Sequence, residues 1–170
     1  MLASYNWAIC LVCKAKRNKP QKNTMKFKGS VDINQSREKV TELFIDPDNL
    51  KEYQDGFIKK ELIEGVAGEN GTISKMYFKH GKRDMVLTET VTKNELPNRF
   101  EASFHHKHMD NTMTCIFTEI GENKTRYEYE FEYTRISWFL PKLIAILFPS
   151  MYRKQGEKWM KQFKEFVEKQ

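Results

Sequence analysis

From Tyr127 to Tyr133 the chain alternates without a break. Tyr127, Tyr129, Phe131 and Tyr133 fall on one side of an extended backbone, and Glu128, Glu130 and Glu132 fall on the other. Successive side chains of a strand point to opposite faces, so this segment reads as a strand with one enclosed aromatic face and one wet acidic face. Downstream the period changes. From about Leu140 to Glu168, the residues Ile144, Leu147, Phe148, Met151, Gln155, Trp159, Phe163, Phe166 and Val167 form an apolar stripe at helical spacing. Pro141 suits the first turn of such a helix, and Pro149 is expected to kink it. A one-sided sheet and a one-sided helix bury their apolar surfaces by packing against each other.

The upstream sequence supplies the rest of the sheet. In Met25 to Asn34, Phe27, Gly29, Val31 and Ile33 share one face, while Lys26, Lys28, Ser30 and Asp32 share the other. Ser36 then reads as an N-cap, with Glu38 in the first turn and Val40, Leu43 and Phe44 at helical spacing. Asp46-Pro47 stops that helix, and Asp48 is expected to cap a second short one carrying Leu50 and Tyr53. Further strands are expected at about Phe57 to Glu64, Gly71 to Lys79, Arg83 to Lys93, Arg99 to Lys107, Asn111 to Glu119 and Lys124 to Tyr133. The breaks between them are too short for the crossovers that parallel strands need, so the sheet is antiparallel. The expected class is α+β: a curved antiparallel sheet of about seven strands around a long C-terminal helix, with two short helices after the first strand. One helix stripe does not fill such a sheet. A hollow between concave face and helix is expected, and hollows of this kind bind ligands.

Composition narrows the classes of function. The 170 residues suit one domain. The net charge of +6 would fit a nucleic-acid partner, but the segment ending at Ser30 holds seven basic residues and no acidic one. The remaining 22 basic and 23 acidic residues leave a nearly neutral body, without the basic face that phosphates require. No nucleic-acid partner is expected. Residues 1–24 are read as a basic N-terminal extension and residues 25–170 as the domain. The extension is apolar first and basic second, the reverse of a secretory signal. It reads as a tail that touches anionic lipid or as a segment upstream of a natural start at Met25, with the second favoured. Cys10 and Cys13 form a lone C-x-x-C with neither a second pair nor a nearby His, a weak zinc signal. Three cysteines make no disulfide framework, which fits a reducing, cytoplasmic setting. The most apolar run, Trp138 to Phe148, is shorter than the roughly 20 residues a spanning helix needs. It reads as burial against the sheet or, second, as a portal that touches a membrane surface transiently.

Two stretches carry a family resemblance. The first runs through Val31-Asp32-Ile33-Asn34, Ser36-Arg37-Glu38-Lys39-Val40, Leu43-Phe44, Asp46-Pro47-Asp48-Asn49-Leu50 and Tyr53. The second runs from Phe139-Leu140-Pro141-Lys142-Leu143 to Phe163-Lys164-Glu165-Phe166-Val167-Glu168. Together they resemble the SRPBCC, or START-like, superfamily of helix-grip proteins, which includes polyketide cyclase/dehydrase-like and lipid-transfer domains. Thr41 departs from the pattern, since many members carry an aromatic residue after the Val. The resemblance implies a container for apolar ligands such as lipids, quinones or polyketides. It implies no shared catalytic motif and no cofactor.

The residues expected to line the cavity are Leu87, Glu89, Phe104, His106, Met113, Phe117, Tyr127, Tyr129, Phe131, Phe148, Met151 and Gln155. Three tyrosines on one face bring hydroxyls that need partners when buried, which suits a ligand with a few polar atoms better than a dry core. Gln155 within the apolar stripe reads the same way, or contacts solvent. Glu89 shares strand parity with Met85, Leu87 and Val91, but the opposite face (Val86, Thr88, Thr90, Thr92) is also moderately apolar, so its orientation is open. If inward, Glu89 is a partly buried carboxylate able to act as a base, with His106 as partner acid. His106 and His108 can point to one side of a strand, but the sequence names no third metal ligand. The expected function is non-catalytic binding or transport of a hydrophobic small molecule. Alternatives are a cyclase-, dehydratase- or hydrolase-type enzyme using Glu89 and His106, or a protein-interaction domain whose cavity is filled by side chains.

Overall fold

The computed structural model describes residues 25–137 and 149–170, the latter with side chains from residue 153 onward. The elements are β1 (Met25–Ile33), α1 (Arg37–Ile45), a 3-10 turn (Pro47–Asn49), α2 (Leu50–Tyr53), β2 (Phe57–Glu64), β3 (Ile73–His80), β4 (Arg83–Glu95), β5 (Arg99–His106), β6 (Met109–Gly121), β7 (Lys124–Ile136) and α3 (Pro149–Val167). The strands form one 7-stranded sheet in the order β1-β7-β6-β5-β4-β3-β2. Every pairing is antiparallel. The chain therefore starts at one edge, carries α1 and α2 across to the other, and returns strand by strand until β7 pairs with β1.

Local chemistry explains the helical crossing. Ser36 Oγ accepts from the Lys39 N–H at 3.3 Å, which caps α1. The next cap is a correction: Asp46 Oδ1, not Asp48, accepts the exposed N–H, that of Asp48 itself, at 2.9 Å. Pro47 has no N–H to offer, so the first unpaired donor of this turn belongs to Asp48 and the preceding carboxylate meets it. Leu50 and Tyr53 are both buried.

The sheet's two faces divide as the alternation demands. The inner row crosses neighbouring strands in register: Gly29 with Tyr129, Tyr127 with Phe117, Phe131 with Met113, Phe104 with Glu89, and Leu87 with Met76. On the outer face the acidic row of β7 meets the basic row of β1, with Lys26–Glu132 at 2.8 Å and Lys28–Glu130 at 2.5 Å. These exposed pairs set register more than stability, since such pairs are worth about 0–1 kcal/mol. Register shifts in β2, β4 and β6 bend the strands and curl the sheet.

Helix α3 lies on the concave side. Met160, Phe163 and Val167 are buried, and the Phe163 ring meets Tyr53, Tyr127 and Phe44 edge-on at 4.8, 5.6 and 6.0 Å. Both flanks of the helix are tied down. Lys164 Nζ donates to the Asp32 carbonyl at 2.5 Å and Glu168 accepts from the Asn34 N–H at 2.8 Å, while Lys158 pairs with Asp55 at 2.8 Å. The apolar run from Trp138 to Phe148 lies outside the described residues, as do residues 1–24 and the expected kink approaching Pro149.

Candidate functional site

The concave face and α3 border a partly open hollow of about 110 Å³. Leu87, Glu89, Phe104, Met113, Tyr127, Tyr129 and Phe131 all lie around it. So does Trp159, from the helical stripe read in the sequence, and so do residues that periodicity did not single out: Lys60 from β2, Met76 and Phe78 from β3, and Gly156 and Met160 from α3. Met76 and Phe78 alternate with exposed Lys75 and Lys79, a signal present in the sequence. Lys60 gave none, because a lysine on an edge strand reads as a surface residue.

Three expected lining residues sit elsewhere or play another part. Phe117 is on the right face but is absent from the wall. Its ring stacks on Tyr127 at 4.9 Å and 9°, and it is 2% exposed. Gln155 is exposed rather than inward. Steps of four residues drift by about 40° each around a helix, so a stripe extended back from Phe163 through Trp159 to Gln155 leaves the buried face, which passes through Gly156 and Met160 instead. His106 lies at the end of β5, beyond the hollow. Its Nδ1 accepts from the His108 N–H at 3.3 Å, and its ring meets that of His108 at 5.4 Å. Phe148 and the Met151 side chain are outside the described part.

The orientation of Glu89 is inward. It is 4% exposed, and one carboxylate oxygen pairs with the Lys60 ammonium. The proposed acid–base partner of Glu89 is therefore engaged otherwise: His106 faces the β5–β6 turn, and burial lowers its pKa below the usual histidine value. Next to it, His105 Nδ1 lies 2.6 Å from Asp110, which also holds Arg135 at 2.5 Å. Arg135 keeps the Asp110 carboxyl below the ordinary carboxylate range. Among the described residues no group of three or more His, Cys, Asp or Glu stands close enough to hold a metal ion.

The remaining polar atoms of the wall are neutral and buried. Burial pushes the hydroxyls of Tyr127, Tyr53 and Tyr129 above the ordinary phenol value. Tyr127 Oη lies 3.4 Å from Cys115 Sγ, whose thiol is pushed up to about 12 by burial. Only the thiolate is nucleophilic. In the native protein at pH 8, Cys115 is accordingly expected to alkylate about a thousandfold more slowly than an ordinary cysteine, and at the ordinary rate in denaturant. Peptide mapping after timed iodoacetamide treatment reads Cys115 apart from Cys10 and Cys13.

The ring of Tyr129 is held by two close approaches. A Cβ at Gly29 would stand 2.6 Å from Tyr129 Cε1, and a Cβ at Gly156 would stand 2.6 Å from its hydroxyl oxygen. Only glycine fits at either place without displacing the ring. On the opposite side Trp159 stacks on Phe78 at 6.5 Å and 19°. Tyr129 Oη and Trp159 Nε1 are both buried without a hydrogen-bond partner.

A family model described as "Polyketide cyclase / dehydrase and lipid transport" matches residues 24–161. No curated protein matches the sequence. Among solved structures, the chain is similar to the Zhui aromatase/cyclase from Streptomyces sp. R1128, with 8% identity, 85% of this chain and 94% of that one covered, and a TM-score of 0.71. It is also similar to Ara h 8.0201, with 9% identity, 86% and 99% covered, and a TM-score of 0.68. A START superfamily protein from Mycobacterium smegmatis matches at 10% identity, 84% and 94% covered, with a TM-score of 0.64. At these identities the likeness is one of fold, and it is the helix-grip fold.

Proposed function

We propose, since this chain belongs to the polyketide cyclase/dehydrase and lipid transport family, that it binds or carries a hydrophobic small molecule of lipid, quinone or polyketide type inside the hollow, without needing to transform it. The observation that carries this reading is the hollow itself: a partly open space walled by Leu, Met, Phe and Tyr with a few polar atoms. Affinity comes from apolar burial at about 25 cal/mol per Å², less the costs of association, and the polar atoms fix orientation. Met76, Met113 and Met160 on the wall are unbranched and adaptable, so the space can yield to a guest. The enzyme reading gains no support from Glu89, whose carboxylate meets Lys60 rather than His106. The interaction-domain reading expects a filled interior, which the hollow does not match.

A cytoplasmic setting and transient contact of Trp138 to Phe148 with a membrane surface belong to the same proposal. The first is supported by the absence of a disulfide framework. Among the described residues, no helix is long and apolar enough to cross a membrane. Native mass spectrometry of gently purified protein tests the reading. An added mass that extracts into organic solvent, or saturable binding of a member of a lipid, quinone and aromatic panel, is expected. A bare mass together with no binding across the panel would overturn it.

A further inference from the structure

The antiparallel order puts the strand reversals at two ends. One end holds the β3–β4 and β5–β6 hairpin tips, the close of β7 and the starts of β1 and β2. The other holds the β2–β3, β4–β5 and β6–β7 turns. Their charges are opposite. At the first end, residues 79–84, 105–110 and 134–136 carry five Lys and Arg against two Asp, and Asp110 is paired with Arg135. Lys79, Lys82, Arg83 and Lys107 are all exposed, and none is in an ion pair among the described residues. At the second end, residues 64–73, 95–99 and 119–124 carry five Glu against Arg99 and Lys124. The chain ahead of Met25 joins the sheet at the basic end and brings five more Lys and Arg with no acidic residue. Charge divided in this way turns a molecule basic end first toward an anionic surface.

Two features favour a lipid surface over a nucleic acid. The cations stand on separate hairpin tips, not along a groove that tracks a phosphate backbone. Near them Ile58, 54% exposed in the bulge between the Phe57 and Lys59 pairings of β2, offers an apolar side chain to a headgroup boundary. The hollow approaches the same end, since Phe78 and Phe104 of its wall precede His80 and His106 by two residues, about 7 Å of strand. We propose that this end docks on an anionic lipid surface through Lys79, Lys82, Arg83 and Lys107. Such docking rests on the reading that the chain meets membranes transiently, and it gives that contact a face and a lipid charge.

Co-sedimentation of the full chain with phosphatidylcholine vesicles, with and without phosphatidylserine, tests it. Binding is expected only with phosphatidylserine, and it should fall by more than about tenfold near 1 M salt, where the screening length is about 3 Å. Each Lys or Arg at such a surface is worth about fivefold in affinity. Lys82→Gln with Arg83→Gln and Lys107→Gln is therefore expected to weaken binding about tenfold or more. Lys93→Gln with Lys124→Gln and Lys169→Gln removes the same charge from the opposite end and is expected to leave binding within about twofold. Every substituted residue but the half-buried Lys93 is exposed, and circular dichroism checks that both variants fold. Equal losses from the two triple variants would assign the binding to net charge, and no loss from the first would assign it to residues 1–24; either result overturns the proposal. So does an absence of binding to phosphatidylserine vesicles, or binding of a DNA or RNA duplex through the same three residues in its place. The assay needs no guest. Its failure leaves the binding of a small molecule standing, and an empty ligand panel leaves the docking standing.

Discussion

Replacing Phe163 by alanine is expected to lower the free energy of unfolding by about 3–5 kcal/mol. The side chain is 1% exposed and stands where the parts of the fold converge. Its ring touches Phe44 from α1, Tyr53 from α2 and Tyr127 from β7, all tilted or edge-on. Aromatic contacts of this geometry add about 0.5–1.5 kcal/mol each to area burial. The rings around it are held by their own elements and cannot collapse into the space, which places the cost at the upper end of large-to-small changes. Urea unfolding measures it, with the slope against denaturant unchanged. A loss below about 1 kcal/mol would mean that α3 is not seated on the sheet as described.

The second large effect concerns the ion pair on the wall. Lys60→Met leaves the Glu89 carboxylate, 4% exposed, without its counter-charge. Breaking a buried pair from one side costs about 3–5 kcal/mol because an uncompensated charge stays behind. Removing both charges, as Lys60→Met with Glu89→Leu, is expected to restore stability to within about 1 kcal/mol of wild type or to exceed it, since burying an ion pair carries a desolvation penalty that its attraction barely offsets. The two single variants and the double variant form a thermodynamic cycle. Additive losses in the cycle would show that the two groups do not act as a pair.

The parts of this fold that were legible were those where one physical constraint acted alone. The aromatic row from Tyr127 to Tyr133 has a single interpretation, and β7 follows it through Tyr129, beyond which both faces are half-buried. Ser36 and Asp46-Pro47 set the limits of α1 through capping and a missing N–H, both local effects. The residues that misled were those answering to two constraints at once. Both faces of β4 are moderately apolar, so alternation does not choose between them, and the inward turn of Glu89 depends on register with Phe104 and on Lys60 two strands away. Gln155 fits a four-residue spacing, but the buried face of α3 is set by Gly156, Trp159, Met160 and Phe163, and it moves off Gln155 as the helix turns. His106 has the parity of the inner face yet lies where β5 leaves the sheet. Parity reports the side of a strand, not the distance along it to the hollow. The close fit of Gly29 and Gly156 on Tyr129 joins residues far apart in the chain, so no local pattern announces it.

The most direct test follows the methionine methyl signals during titration with a compound that binds. The chain has eight methionines, of which Met76, Met113 and Met160 line the hollow. With ¹³C-methyl labelling, these three signals are expected to shift together and saturate at one stoichiometric equivalent, while that of Met25 on the edge strand stays in place. Saturable binding that leaves all three unmoved would place the guest outside the hollow and contradict the central claim.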